Sequence, residues 1–499
     1  MFLGLDLGTT NIKALVVADD GKVVARGSVP VSLKHTPDGG IEQNIEEIWR
    51  STLSAIWLAG RDCDLAAVRA LGVSSQGGAI QIRTPDGGFV GPVISWMDSR
   101  GAAFDERFQR RVGSEWIARR AGHGESNMAV GQVFRLREAA PALLKPPNIL
   151  GFVGDAIVWR LCGRAAHDAS SLSICCLYNP TLRQADPDLL EQLGLRAEQL
   201  PELVPPREPV SVLDTEVARQ TGLPAHIPVG PAVHDQYAAA LGCGAIEAGD
   251  VMFGAGTAWV LLAIADHLVA PVVPSAWVCD HVVPGRWGQL LSLVVGGSAF
   301  QWALDMVGMR EASPAKIDEL LDSIAPGSDG LRLWPFLDAI GGRNRPSAGS
   351  LHGLRLPHGR GHLLRATIEG LCFELARQLG WLEKGGCPVY RLILCGGAAR
   401  SRCTPQIVAD VTGRPVTCPA ETEISAFGAA ILARAMMERT ASMADLCREM
   451  LGDAREIQPS DATTSYAKMV QEYIAAVEAA TAGAASRSGP PEATAPPRS

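Results

Sequence analysis

Phe2-Leu3-Gly4-Leu5-Asp6-Leu7-Gly8-Thr9-Thr10 opens the chain and decides how the rest is read. The apolar run reads as a strand, and it ends on a carboxylate followed by a turn of glycine and threonine. A second strand is expected from about Ile12 to Val17. Asp19-Asp20-Gly21 then turns the chain, and Val23-Val24-Ala25 makes a third strand. A carboxylate at a strand end can hold Mg²⁺ directly or through water. Gly8 lets the backbone approach a phosphate closely. The hydroxyls of Thr9 and Thr10, with successive N–H groups, can cradle phosphate oxygens, and Lys13 supplies a point charge. An ordinary hairpin turn is the competing reading of this stretch taken alone.

Working outward, Ile45, Ile48, Trp49, Leu53 and Ile56 recur at helical spacing and predict a helix from Ile45 to Leu58. The next strand, Ala70 to Val73, ends at Ser74-Ser75-Gln76-Gly77-Gly78. The pattern then repeats. Asp250-Val251-Met252-Phe253 runs into Gly254-Ala255-Gly256-Thr257, a strand follows from Trp259 to Ile264, and Leu392-Ile393-Leu394 ends in Cys395-Gly396-Gly397-Ala398. Each half opens with a strand, a Gly/Thr turn and another strand. Two such turns facing one another across a cleft would grip one triphosphate from both sides. Between the halves, Pro228 to Val233 reads as a strand and Tyr237 to Leu241 as a helix. Asp235 therefore stands at a strand-to-helix corner, where open α/β sheets expose ligand-binding side chains. A helix cap is the competing role for it. His234 reads as an orienting or packing residue.

Composition bounds the rest. A chain of 499 residues exceeds what one core supports, and 47% hydrophobic residues can fill two. The formal net charge of -8, with no Lys/Arg-rich run, argues against nucleic acid and against an acidic membrane surface as partners. The 12 cysteines are scattered without a CxxC pair, which fits free thiols in a reducing compartment. Asp6 interrupts any signal-like run, and no apolar stretch reaches the ~20 residues that span a bilayer. A cytoplasmic location follows as an expectation. Residues 195–230 are rich in proline and read as a surface excursion. The expected division is 1–246, 247–440, a helical extension over 441–482 with a helix from Tyr466 to Ala480, and a disordered tail over 483–499.

These turns resemble those of the sugar kinase, chaperone and actin superfamily, and more narrowly the FGGY carbohydrate kinases. Gly349-Ser350-Leu351-His352-Gly353-Leu354, with His362-Leu363 and Ala366-Thr367-Ile368-Glu369, resembles that family's C-terminal signature at every constrained position. Gly40-Ile41-Glu42-Gln43 with Trp49, Gly297 to Trp302, Cys395 to Ser401 and Glu423 to Ala430 also look like family segments. Together they span residue 1 to about 440. The resemblance implies an α/β fold of two actin-like, ribonuclease H-like ATPase domains around a central cleft, with ATP and Mg²⁺ as cofactors. It implies Asp235 as general base and Mg²⁺ contact, and Asp6 as the other metal contact. Thr9, Thr10, Lys13, Gly256, Thr257, Gln301, Gly396, Gly397, Ala398 and Ser401 would hold the nucleotide. Gln76, Gly77, Asp98, Arg100, His234 and Gln236 would meet a small sugar or polyol. A homodimer is left open.

Within the family the likeness is nearest to xylulokinases, with departures. Gly78 and Met97 lack polar tips that the pattern supplies, Gly342-Arg343-Asn344-Arg345-Pro346 lacks an acid, and Gln132-Val133-Phe134-Arg135 replaces a Lys- and Trp-bearing signature. A roomier sugar wall and weak or absent use of D-xylulose are the expectations, with a better substrate among related ketoses or sugar alcohols. Two other readings stand beside the kinase: a nucleotide-dependent conformational protein of the same superfamily, and a sugar sensor that has lost catalysis.

Overall fold

The computed structural model describes residues 1–293, 295–337, 346 and 348–487. Strand β1 (Phe2–Leu7) is buried along its whole length and shows no alternation of burial, as befits a central strand covered on both faces. It pairs antiparallel with β2 (Asn11–Val17), which pairs antiparallel with β3 (Val23–Pro30). On its other side β1 pairs parallel with β4 (Leu71–Ser75). Three short strands follow: β5 (Ala166–His167), β6 (Glu202–Leu203) and β7 (Ser211–Val212). Then β8 (Pro228–His234) lies parallel to β4. The order is β6-β5-β8-β4-β1-β2-β3, with β7 beside β8.

The second half repeats this plan. Its strands are β9 (Asp250–Ala255), β10 (Trp259–Ala265), β11 (Trp277–Asp280), β12 (Trp287–Ser292), β13 (Arg391–Cys395), β14 (Val416–Pro419) and β15 (Ala454–Ile457), ordered β11-β12-β10-β9-β13-β14-β15. The segment β12-β10-β9-β13-β14 matches β3-β2-β1-β4-β8 in order and in its switch from antiparallel to parallel pairing. The repeat read from the two Gly/Thr turns is thus a repeat of topology. Each half is an α/β unit built on the same five-strand plan, so the expectation of two related α/β domains holds.

Helix α1 (Ile45–Ala59) packs on β3, where a β-carbon at Gly27 would lie 1.9 Å from the Ala55 carbonyl. Between the halves lie α2 (Asp235–Cys243) and, much later in the chain, α3 (Ile424–Met437). Their contact is backbone on backbone. A β-carbon at Gly242 would sit 2.0 Å from the Ile424 carbonyl, and one at Gly428 would sit 1.8 Å from that of Ala238. The same α3 lies on the first sheet, with Gly4 against Ala426 and Gly72 against Ala429 at 1.9 and 2.0 Å. Tyr237 to Leu241 and Ala426 to Met436 share one hydrophobic cluster with Phe2 and Leu15 of the first sheet and Met252, Leu262 and Ile393 of the second.

Three expectations change. Residues 195–230 are not a loose excursion: β6 and β7 join the sheet, and Val210, Leu213, Val217, Leu223 and Ile227 are buried in its core. Strands two residues long carry too few positions for a period to show. The extension over 441–482 is not only helical. A helix over Met443–Met450 packs into the cluster shared by the two sheets through Met443, Leu446, Cys447 and Met450, and β15 then pairs antiparallel with β14. The last described helix runs from Ala462 to Arg487, past the boundary set at 483. Residues 488–499, and the acid-deficient stretch 342–345, lie outside the described residues. No helix among the described residues is long and apolar enough to cross a membrane.

Gly428→Val should lower thermal stability sharply, by about 3 kcal/mol, because its side chain must displace backbone. Gly380→Ala is the control. That helical glycine faces open space, and the change should add up to about 1 kcal/mol through helix propensity. Melting curves of the two variants should move in opposite directions.

Candidate active site

Three parallel strands bring their carboxyl ends together. Asp6 of β1 lies opposite Ser74 of β4, and Ser74 lies opposite Val233 of β8, so Asp6 and Asp235 flank one strand end. The Ser74 hydroxyl donates to Asp6 Oδ1 at 3.2 Å. Burial pushes the Asp6 carboxyl up to about 7, with the charge of Asp235 adding to the rise and Lys13 opposing it. Asp235 is the first residue of α2. His234 occupies the cap position, and no side chain caps the helix, so Asp235 is not spent as a cap. Its side chain keeps 27% exposure. Burial between the halves still pushes it up to about 6, against hydrogen bonds from Gln236. His234 Nε2 lies 3.2 Å from Asp235 Oδ1, and burial pushes the ring down to about 3, which leaves it neutral.

The first Gly/Thr turn is held by an amide network. The Thr9 hydroxyl donates to Gln76 Oε1 at 3.1 Å and accepts from Trp96 Nε1 at 2.9 Å. Gln43 Nε2 donates to the Thr9 carbonyl, and Gln76 Nε2 to Gln43 Oε1. Gln76 is 3% exposed, so it braces the turn from behind. Thr10 is exposed. Lys13 pairs with Glu423, the residue just before α3. Gly77 lies under His234, whose Cδ2 and Nε2 would be 2.7 Å from a β-carbon there.

The second turn, Gly256-Thr257, is held by the helix over Gly297–Met306. Gly297 N–H donates to the Gly256 carbonyl at 3.0 Å and Ser298 N–H to that of Thr257 at 3.1 Å. Glycine is required at 297, where a β-carbon would be 2.5 Å from the Gly256 oxygen. Gly396 has a φ of 84° and abuts the Ala255 carbonyl, so the third turn sits against the second. Gly397 faces open space there, and Ala398 is half-buried. Gln301 sits on the same helix and contacts Asp305 at 3.4 Å. Ser401 is committed elsewhere: its hydroxyl donates to Asp318 and accepts from the N–H groups of Cys403 and Thr404. Across the cleft, Gln236 Nε2 donates to Asp235 Oδ1 at 3.2 Å, and its Oε1 lies 3.6 Å from where a β-carbon of Gly254 would be. The base candidate is thus bracketed by elements of both halves.

Asp98 and Arg100 differ from the expectation of a free carboxylate and guanidinium facing a polyol. Arg100 donates to Asp98 from Nε and Nη2, to Asp38 from Nη1 and to Glu42 from Nη2. Asp98 also accepts from Ile41 N–H and Gln132 Nε2. Burial raises the Asp98 carboxyl, and donors from Arg100, Ile41 and Gln132 more than offset this, holding it below its usual range. Nor is the wall at Gly78 roomier. A β-carbon there would meet Met128 Sδ and Trp96 Cβ, each at 3.2 Å. Met128 takes a positive φ of 53°, a conformation that costs a non-glycine residue about 1–3 kcal/mol. Met97 is exposed.

Sequence reasoning missed Ser74, Ser425 and the individual role of Glu423. The Ser425 hydroxyl donates to the Asp235 carbonyl at 3.3 Å. Glu369 of the C-terminal signature lies in a packing joint: it accepts from Gly327 N–H, Ser328, Arg365 and Tyr466. Among the described residues no group of three or more His, Cys, Asp or Glu could hold a metal. Two carboxylates still suit Mg²⁺, which keeps several waters and shares the rest of its shell with phosphates. A cation between them would relieve the raised Asp6 and Asp235 carboxyls.

Arg100→Met should cost about 3 kcal/mol in chemical denaturation, since it strands buried Asp98. A selective rise in sugar KM without loss of stability would instead place Arg100 on the substrate.

Comparison with known proteins identifies the family. Residues 1–242 match the model of the FGGY family of carbohydrate kinases, N-terminal domain, and residues 251–437 match its C-terminal domain. The chain is 28% identical to the L-fuculokinase of Escherichia coli over 445 residues, covering 86% of this chain and 91% of the relative. It is 30% identical to a glycerol kinase of Gloeobacter violaceus over 453 residues, covering 86% and 87%. The crystal structure of xylulose kinase from Rhodospirillum rubrum shares the fold with a TM-score of 0.87, at 24% identity and 95% and 98% coverage. The chain belongs to the FGGY family of carbohydrate kinases.

Proposed function

We propose that the protein transfers the γ-phosphate of ATP to a hydroxyl of a small ketose or polyol, with Asp235 as general base. The observation that carries this reading is the place of Asp235. It stands at the start of α2, opposite Asp6 and beside Gln236, whose Oε1 faces Gly254 of β9, the strand that leads into the second Gly/Thr turn. The substrate hydroxyl gives its proton to the Asp235 carboxylate as its oxygen bonds to phosphorus, and ADP leaves. Phosphoryl transfer asks mainly for alignment and charge neutralisation, so a carboxylate is base enough. Mg²⁺, held from Asp6 and Asp235 through water, would supply the charge neutralisation. Thr9, Thr10 and Lys13 on one side, and Gly256 and Thr257 on the other, would hold the phosphates. Gly396, Gly397 and Ala398 would lie against the adenine. His234 and Gln236 each lie 3.2 Å from the Asp235 carboxylate and would meet the sugar. The twelve thiols are free, which fits a cytoplasmic enzyme.

The relatives named above act on different acceptors, so xylulokinase activity is one member of a panel rather than the default. Coupled assays with D-xylulose, L-fuculose, glycerol and gluconate, with ATP saturating, test the reading. One acceptor should win clearly. D-xylulose should not, because Met97 and the Met128 side chain against Gly78 put apolar groups where the xylulokinase pattern has polar ones. On the best acceptor, Asp235→Asn should lose 10²-fold or more in kcat with sugar binding retained. Turnover near that of the parent enzyme would remove Asp235 from the reaction.

The pH profile provides an independent measurement. Asp6 and Asp235 work ionised, yet are raised to about 7 and about 6. The value of kcat/KM should therefore fall as pH drops through an acid limb at 6–7, with apparent values belonging to the pair. Stability should respond in the opposite sense. Both groups bind their protons more tightly folded than unfolded, so their own contribution to folding stability, read as the difference between the parent and the Asp6→Asn and Asp235→Asn variants, should decline as pH rises from about 4 to 7.

A further inference from the structure

The turn 421–423 carries two acids that the reaction above leaves without a part. Glu421 folds the turn on itself. Its Oε1 accepts from the N–H groups of Thr422 at 2.8 Å and Glu423 at 2.6 Å, and its two oxygens take the Arg26 guanidinium at 2.9 and 2.6 Å. Glu423 stands immediately before α3, where a carboxylate would be welcome to the N–H groups of the first helical turn. It caps nothing there. It reaches instead to Lys13 Nζ, 410 positions away in the chain. Lys13 lies on β2 directly opposite Asp6, and the charge of Glu423 is felt at Asp6.

The Lys13 and Glu423 side chains are 32% and 29% exposed, and a pair so open to water adds little stability. Its effect is on position. A lysine ammonium on a four-carbon stem samples many rotamers unless something holds it. Glu423 is held on both sides, by the Glu421–Arg26 turn and by α3, whose backbone is locked against β1, β4 and α2. Two residues on, Ser425 grips the Asp235 carbonyl. One rigid element therefore sets a group from β2 and a peptide from α2 relative to each other.

We propose that Glu423 is a positioning residue for Lys13. It fixes the ammonium beside the first phosphate turn, so that the start of α3 aligns the phosphate contact with the base. The inference rests on the reading of Lys13 as a phosphate contact. Steady-state kinetics of Lys13→Met, Glu423→Gln and the double variant, with the best acceptor of the panel, test it. Glu423→Gln should raise KM for Mg·ATP about 5–10-fold, while kcat and sugar KM stay within about twofold. In the Lys13→Met background the same change should add less than about twofold. Glu423→Asp keeps the charge but draws the ammonium in by one methylene, and should fall between; it carries the test should Glu423→Gln melt too low to assay. An unchanged or lowered KM for Mg·ATP in Glu423→Gln would overturn the proposal, as would an equal effect with Lys13 absent. If Lys13→Met itself left KM for Mg·ATP unchanged, the phosphate-contact reading would fall, and this inference with it. A Lys13→Met defect without coupling to Glu423 would overturn the inference alone.

Discussion

The backbone contact between α2 and α3 is the constraint on which the molecule turns. Helices ordinarily approach to 8–10 Å because side chains separate them. Here Gly242 and Gly428 remove those side chains, and carbonyl groups occupy the space. Gly4 and Gly72 do the same where α3 meets the first sheet. The consequence is positional. The base candidate opens α2, Glu423 and Ser425 flank the opening of α3, and Asp6 is next to last on the strand that α3 covers. A side chain of any size at these glycines would push the start of both helices off the strand ends.

Charge follows from that packing. Closing two sheets on a helix pair leaves Asp6 and Asp235 with more burial than compensation, and their raised pKa values are its signature. Under the proposed function, a cation with its phosphate ligand would relieve this pair. Two other buried charge clusters are settled internally. Asp98, Arg100, Glu42 and Asp38 form a closed set, and so do Glu369, Arg365 and Tyr466. Burial also raises Asp105, Asp155 and Asp168; what separates the candidate site is that its two raised carboxyls stand near enough for the charge of Asp235 to bear on Asp6.

Much of this was legible from residues near one another in the chain. The strand-turn-strand openings carry Gly and Thr at fixed offsets, and Asp235 follows an apolar run and precedes an alanine-rich helix. Local pattern was enough for both. The family segments, from Glu42-Gln43 to Gly428-Ala429-Ala430, were equally plain. Illegible were matters decided by distant partners. Asp98 and Arg100 look like a polyol reader until Asp38 and Glu42 arrive to satisfy the guanidinium. Gly78 looks like an open wall until Met128 fills it. The signature's Glu369 belongs to a packing joint whose partners, Tyr466 among them, lie far along the chain. Glu423 could not be singled out, because its meaning lies in Lys13.

The late position of α3 also bears on how the protein is made. It lies on β1 and β4, yet it leaves the ribosome roughly 350 residues after β4, which at about 5–20 residues per second is a wait of about 20–70 s. Throughout translation of that span the first sheet must keep the face over Gly4 and Gly72 without its permanent cover. The N-terminal half is therefore a nascent chain that cannot finish folding by itself, however complete its own strands. Holding chaperones, pauses in elongation and the growth temperature should then govern the yield of active enzyme as strongly as the stability of the finished molecule does.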